Sequence, residues 1–467
     1  MAEAVDLLFR GATVVSMDGE RRVFESGYVA IDGGRIAGVG RDEECGFESP
    51  HTIRADSKVI LPGLVNCHTH LSNGITRGLF DEMPLAEWVT RGMWPTLRAN
   101  TEDTYYAGAR VALAENLLGG VTTTAVGEFG TPNPGAIDGV LRALTESRSR
   151  AVVARISADS SDEHDPSQST APDARESIDH ALSEVTRLRR TYGSELVEVV
   201  PEALGVLRCT PDMITEFTAY AKAESCRMTM HVASSPDERD EARHRFGTGS
   251  IERLSELDAL GPHLLIAHCV WCDETERRLL AESQTGVSHN PVANLMYAAG
   301  VAPLAEMLQA GVHVGLGTDG ASTNNGQNLW EAMKIAVFLQ KSRWGAEWGS
   351  AELALELATI GGARALGMAE EIGSLEAGKR ADLAVVDIDR AHLVPRSTWP
   401  SNLVYSGNPH AVETVVVDGR ILVDAGRLTM WEHGDIVREG NRAAEVVGDR
   451  TSLPEAYRER STWSWIR

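Results

Sequence analysis

The chain has 467 residues, 44 of them basic and 67 acidic, for a formal net charge of −23. An acid surplus of this size opposes the cationic neutralisation of phosphates on which non-specific nucleic-acid binding rests, and it opposes docking on an anionic membrane surface. At roughly 100–200 residues per domain the length allows two to four domains, although an α/β barrel alone takes about 250.

In chain order, the first 60 residues read as short strands with tight turns. Asp6–Met17 alternates apolar positions, Tyr28–Ile31 is apolar, and Asp32-Gly33-Gly34 is a hairpin turn before Arg35–Val39. The same grammar returns near the C-terminus at Ala381–Val386, Glu413–Val417 and Ile421–Val423. One small β-sandwich built from both termini (residues 1–60 and 371–467, the latter with a C-terminal tail) is expected. From 61 to 370 strands alternate with helices. The strand candidates are Ile60–Val65, Val121–Val126, Ala151–Ile156, Leu196–Val200, Met228–Val232, Leu264–Ala267, Gly286–Ser288 and Val312–Leu316. Eight strands with helices between them are the pattern of a (β/α)8 TIM-like barrel, an α/β fold whose chemistry sits at the C-terminal ends of its strands. The polar stretch 160–174 reads as a loop.

The N-terminus lacks a basic region followed by an apolar run, and no stretch approaches the roughly 18 apolar residues that span a bilayer. Six cysteines are too sparse for a disulfide framework. The pair Cys269/Cys272 has no second pair to complete a structural zinc site. A cytoplasmic protein is expected.

Histidines gather where the strands end. His68 and His70 close the first barrel strand, His231 the fifth, His268 the sixth, and Asp319 follows the eighth. Residues i and i+2 of a strand point to one side, so His68 and His70 reach into the same barrel mouth. A third imidazole from His231 and a carboxylate from Asp319 would hold one ion and leave room for a water, a catalytic arrangement. His289 ends the seventh strand and is expected beside the ligands or the substrate.

These residues resemble the amidohydrolase superfamily, and within it the cytosine-deaminase-like branch of heterocycle aminohydrolases and triazine hydrolases. The matching pieces are Leu61-Pro62-Gly63-Leu64-Val65-Asn66-Cys67-His68-Thr69-His70, Gly120-Val121-Thr122-Thr123, His231, Ala267-His268, Ser288-His289-Asn290-Pro291, Gly317-Thr318-Asp319-Gly320 and Gly373–Leu383. The resemblance implies a distorted barrel with a terminal β-sandwich. It also implies His68, His70, His231 and Asp319 as metal ligands, and His268 as the group that steadies the attacking water or the tetrahedral intermediate. Relatives are often dimers, so a homo-oligomer is expected. Binuclear members bridge two metals with a carboxylated lysine from a middle strand. Only five lysines occur here, with none between Lys58 and Lys222. One divalent ion is expected, Zn2+ or Fe2+.

The implied reaction is attack of activated water on an electrophilic ring carbon of a nitrogen heterocycle. Asp319 takes a proton, His268 faces the developing charge, and a general acid protonates a ring nitrogen before ammonia leaves. In most deaminases of this branch that acid is a glutamate three residues after the fifth-strand histidine; here the position is Ser234. Three readings follow. Asp237 or Glu238 folds back to serve, or Glu128 approaches from the second strand. The third is that no ring protonation is needed because a halide, thiol, sulfide or alkylamine leaves easily or a polarised cyclic amide is opened. Thioadenosine-type deaminases resemble the chain around Phe80–Pro95 but place a ribose-binding glutamate where Leu97 stands, which points to a free heterocycle. Trp88, Trp94 and Trp271 are candidates to stack on it, and Asn294 and Asn325 to hydrogen-bond it.

Overall fold

The computed structural model describes residues 2–161 and 168–460. Residues 162–167, part of the expected loop and including His164, lie outside the described residues.

The eight parallel barrel strands run Leu64–Thr69, Val121–Phe129, Arg150–Ser157, Val197–Ala203, Met228–Val232, Leu264–His268, Gly286–His289 and His313–Leu316, each beside its sequence neighbour. Crossover helices cover the outside, so these strands are buried on both faces and read as nearly continuous apolar runs; Arg150–Ser157 is buried at every position. The seam between the first and last strands is closed mainly by polar groups. Asp319 N–H donates to His68 O at 2.8 Å, Asn66 Nδ2 donates to Thr318 Oγ1 at 2.8 Å, and Thr69 Oγ1 donates to Asp319 O at 2.9 Å. Two of the chemically suggestive residues are thereby fixed by barrel closure itself.

The expected strand Ile60–Val65 is two strands in two sheets. Lys58–Pro62 pairs antiparallel with Leu383–Asp387 in the terminal sheet, and Leu64–Thr69 opens the barrel. The break falls at Gly63, where a Cβ would meet the Thr122 side chain at 2.0 Å. Apolar character runs straight through the junction, so hydropathy alone does not reveal it. Lys58–Pro62 and Leu383–Asp387 also join the N-terminal strands Leu7–Val15, Val23–Asp32 and Arg35–Arg41 to the C-terminal strands Val412–Val417, Arg420–Asp424 and Arg427–Leu428 in one nine-stranded sheet. Beyond it the chain returns to the barrel as helix His433–Asp449. Ala443 and Val447 of this helix pack on Ile75, Ala99 and Ala107. Among the described residues no helix is long and apolar enough to cross a membrane.

Candidate metal centre and its cavity

The C-terminal ends of the barrel strands bring five ring or carboxylate groups together: His68, His70, His231, His268 and Asp319. Asp319 Oδ1 lies 3.6 Å from His68 Nε2 and 3.4 Å from His70 Nε2. The His68 and His231 rings meet edge to face at 4.8 Å, and His70 stacks on His231 at 5.5 Å. Ligand atoms of His68, His70 and His231 lie within 4.8 Å of one another, as do those of His68, His268 and Asp319. Burial, reinforced by the neighbouring imidazoles, holds His68 and His231 well below the ordinary histidine range, so their lone pairs are free. His68 Nε2 is buried with no hydrogen-bond partner among the described residues. Burial pushes the Asp319 carboxyl up, but the facing imidazoles and the Gly320 N–H, donated at 2.6 Å, bring it below the usual carboxylate range. An unpartnered buried nitrogen, neutral imidazoles and an ionised carboxylate around one point fit a divalent ion.

The local backbone is unusual at the same places. His268 and Asp319 are non-glycine residues at φ 79° and 62°. Such left-handed positions cost energy and cluster where function requires them.

The neighbours of these groups set their orientation. His231 Nδ1 lies 2.7 Å from Glu202 Oε1, and Thr229 Oγ1 donates to Glu202 Oε2 at 2.6 Å. Burial pushes Glu202 up to about 7. Sequence reasoning missed Glu202. The available signal was an acidic residue at the C-terminal end of a barrel strand, the same rule that picked out His231. His268 Nε2 lies 3.9 Å from Asp319 Oδ2. Its Nδ1 sits 3.0 Å from Asn294 Oδ1 and 3.3 Å from Asn290 Nδ2, an acceptor and a donor, so both ring tautomers have support.

The ligand cluster opens on a cavity of about 100 Å³ whose wall includes Trp88, Ser234, Glu238, Asn294 and Tyr297. A larger hollow of about 690 Å³ lies between the Glu102–Leu118 and His433–Asp449 helices, and none of the five clustered residues lines it. Volume does not locate the site, since a hollow of about 790 Å³ beside Thr52 and Arg420 is larger still; the ligand set points to the small cavity.

Of the expected substrate residues, Trp88, Ser234 and Asn294 line the cavity, and four others do not. Trp94 is buried against Phe129, with ring centroids 5.7 Å apart. Trp271 Nε1 donates to Ala299 O at 2.6 Å, and Arg239 covers its ring. Asn325 is spent on Asp81 Oδ1 and Gly78 N–H, each at 2.7 Å. His289 is fully buried, with neither nitrogen partnered among the described residues. Of the carboxylates, Asp237 is exposed on the first turn of its helix. Glu128 lies in a side cavity beside His70 and accepts from Ser72 N–H at 2.9 Å and Ser72 Oγ at 2.7 Å. Glu238 does fold back, onto Ser234.

The model of the amidohydrolase family matches residues 59–422. The chain belongs to the amidohydrolase family. This amidohydrolase is 34% identical over 444 residues to a 5-methylthioadenosine/S-adenosylhomocysteine deaminase of Desulforudis audaxviator, covering 94% of this chain and 98% of that one. Its structure is similar to a zinc-bound adenosine deaminase from Xanthomonas campestris (TM-score 0.88, 25% identity, 96% of this chain and 100% of that one). It is also similar to the zinc complex of an atrazine chlorohydrolase from Arthrobacter aurescens TC1 (TM-score 0.86, 27% identity, 94% and 100%). The amidohydrolase is thus an enzyme, a metal-dependent hydrolase of C–N or related bonds.

Proposed function

We propose that this amidohydrolase removes an amino group as ammonia from a small nitrogen heterocycle, using one divalent ion held by His68, His70, His231 and Asp319. The observation that carries the reading is the convergence of these four side chains, three of which, His70, His231 and Asp319, line a cavity of about 100 Å³. Zinc is the proposed ion, with iron the alternative, because two of the similar structures hold zinc. A single ion is favoured because no lysine occurs between Lys58 and Lys222, and Lys222 Nζ binds Asp258 on the outer helices.

The ion would lower the pKa of a bound water toward neutrality. Asp319, ionised and 3.4 Å from His70, accepts the proton as the water attacks. His268 faces Asp319 and steadies the charge that develops, its ring held by Asn290 and Asn294. The small cavity and Leu97, buried where thioadenosine-type relatives place a ribose contact, support a free heterocycle over a nucleoside. A homodimer in the cytoplasm is the proposed assembly and compartment, testable by light scattering and fractionation.

The second reading, displacement of a halide, thiol, sulfide or alkylamine or opening of a cyclic amide, draws on Ser234 standing where relatives carry a glutamate. Metal analysis and ammonia release from purines, pterins, pyrimidines and triazines separate the two. One equivalent of zinc or iron per chain and ammonia from at least one ring are expected. Turnover of a chloro or thio analogue with no ammonia from any amino heterocycle would replace the first reading with the second.

A further inference from the structure

The Ser234 hydroxyl is committed. Ser234 Oγ donates to Glu238 Oε2 at 2.7 Å, and the same oxygen accepts from Ser234 N–H at 2.8 Å. The other carboxylate oxygen accepts from Ala233 N–H at 2.6 Å and Ser250 Oγ at 3.0 Å. Glu238 is 4% exposed and is fixed by the cap of its own helix, where Ser235 Oγ accepts from Glu238 N–H at 3.1 Å. Four hydrogens are thus directed at its two oxygens. A serine oxygen carries one hydrogen and two lone pairs. With the hydrogen held by Glu238, the lone pairs are what Ser234 offers the cavity it lines together with His231, His268 and Asp319.

We infer that Ser234 is a hydrogen-bond acceptor for substrate, so that the site selects a heterocycle whose ring nitrogen beside the reacting carbon already carries hydrogen. This deepens the deaminase reading and rests on it. A glutamate at this position supplies a proton to a bare ring nitrogen, as in 4-aminopyrimidine and 6-aminopurine rings. An acceptor cannot do so; facing a ring nitrogen it is matched by an N–H, as in 2-amino-4-oxopyrimidine rings and their fused counterparts. In such a ring the addition of water moves the C=N electron pair onto the carbon's other ring nitrogen; the proton that Asp319 takes from the water passes to the amino group, and the pair re-forms C=N as ammonia leaves, so no proton is required from residue 234.

Isomeric or near-isosteric pairs make the test: isocytosine against cytosine, and guanine against adenine. Calorimetric binding to the metal-loaded enzyme and ammonia release are both measured. The N–H member of each pair is expected to bind more tightly. Ser234→Ala should lower that preference about ten- to a hundredfold, the range for removing the partner of a buried polar group. Ser234→Thr, which keeps the oxygen, should retain it, and Ser234→Glu should shift turnover toward cytosine and adenine. A wild-type preference for the bare-nitrogen member, or pair ratios unchanged in Ser234→Ala, would overturn the assignment, as would failure of all four bases to bind. Binding preference for the N–H members without ammonia release would retain the acceptor role and count against the deaminase reading alone.

Discussion

Two buried polar clusters at opposite ends of the barrel differ in how their atoms are paired. At the N-terminal end, Arg150 opens the third strand and grips Asp382 of the terminal sheet through Nε at 2.7 Å and Nη2 at 3.1 Å. Its Nη1 reaches Glu195 O at 3.1 Å, while Asp382 Oδ1 also accepts from Asp418 N–H at 2.8 Å. The two side chains are 3% and 2% exposed, and they find their partners inside the protein. At the C-terminal end, buried atoms have no hydrogen-bond partner among the described residues: His68 Nε2, Trp88 Nε1 and Asn294 Nδ2. An unpaired buried polar group costs free energy, so one end has the pattern of a joint and the other that of a receptor. In TIM barrels the C-terminal face carries activity and the opposite face stability.

The comparison breaks if mutations at the two ends have similar consequences. Asp319→Asn keeps the shape but removes the proton acceptor. Activity should fall about 100- to 10,000-fold, with circular dichroism and thermal midpoint near wild type. His68→Ala should also lose the metal by elemental analysis. Asp382→Ala should do the reverse. Leaving Arg150 buried without the carboxylate it grips costs about 3–5 kcal/mol, read as a lower urea midpoint, while the folded fraction keeps its metal. A loss of metal in Asp382→Ala at unchanged stability would erase the division between the ends.

Glu202 sharpens the comparison because it sits at the receptor end yet is paired, with His231 and Thr229. Glu202→Gln should weaken metal affinity about 10- to 100-fold in chelator competition, as expected when the group behind a metal-binding histidine is altered. The effect should exceed any change in unfolding midpoint of the metal-free protein.

What was legible in the sequence follows a physical division. His68, His70 and Asp319 were readable because strand geometry fixes where i and i+2 point and because the seam residues sit in short, dense motifs. Glu202 was not, because a single carboxylate at a strand end acquires meaning only from the neighbour across the ladder, Thr229, and from His231 beyond it. The indoles were ambiguous from the start. Trp88 lines the cavity, whereas Trp94 and Trp271 are packed elsewhere, and composition cannot separate a ring that stacks on substrate from one that fills a wall. Glu238 was one of three readings until the helix cap placed its carboxylate on Ser234. The Lys58–Pro62 and Leu64–Thr69 strands read as one because hydropathy does not register a change of sheet.

His289 gives the smallest expected effect and the finest test of whether an unpartnered atom at the receptor end has a purpose. It closes the seventh strand, is fully buried with both nitrogens unpartnered among the described residues, and does not line the cavity. Burial, with a contribution from His268, pushes it down to about 4. The unfolded chain therefore binds a proton at this residue near pH 6.5 while the folded chain does not, and stability falls as pH drops from about 6.5 toward 4. Between pH 7 and pH 5 the loss from this one group is at most about 2 kcal/mol, and above pH 7 it vanishes. His289→Phe should flatten that part of the urea-midpoint profile and leave metal content and activity near wild type. A His289→Phe enzyme with the wild-type pH profile but a tenfold loss of turnover would move this histidine from packing into the working machinery of the site.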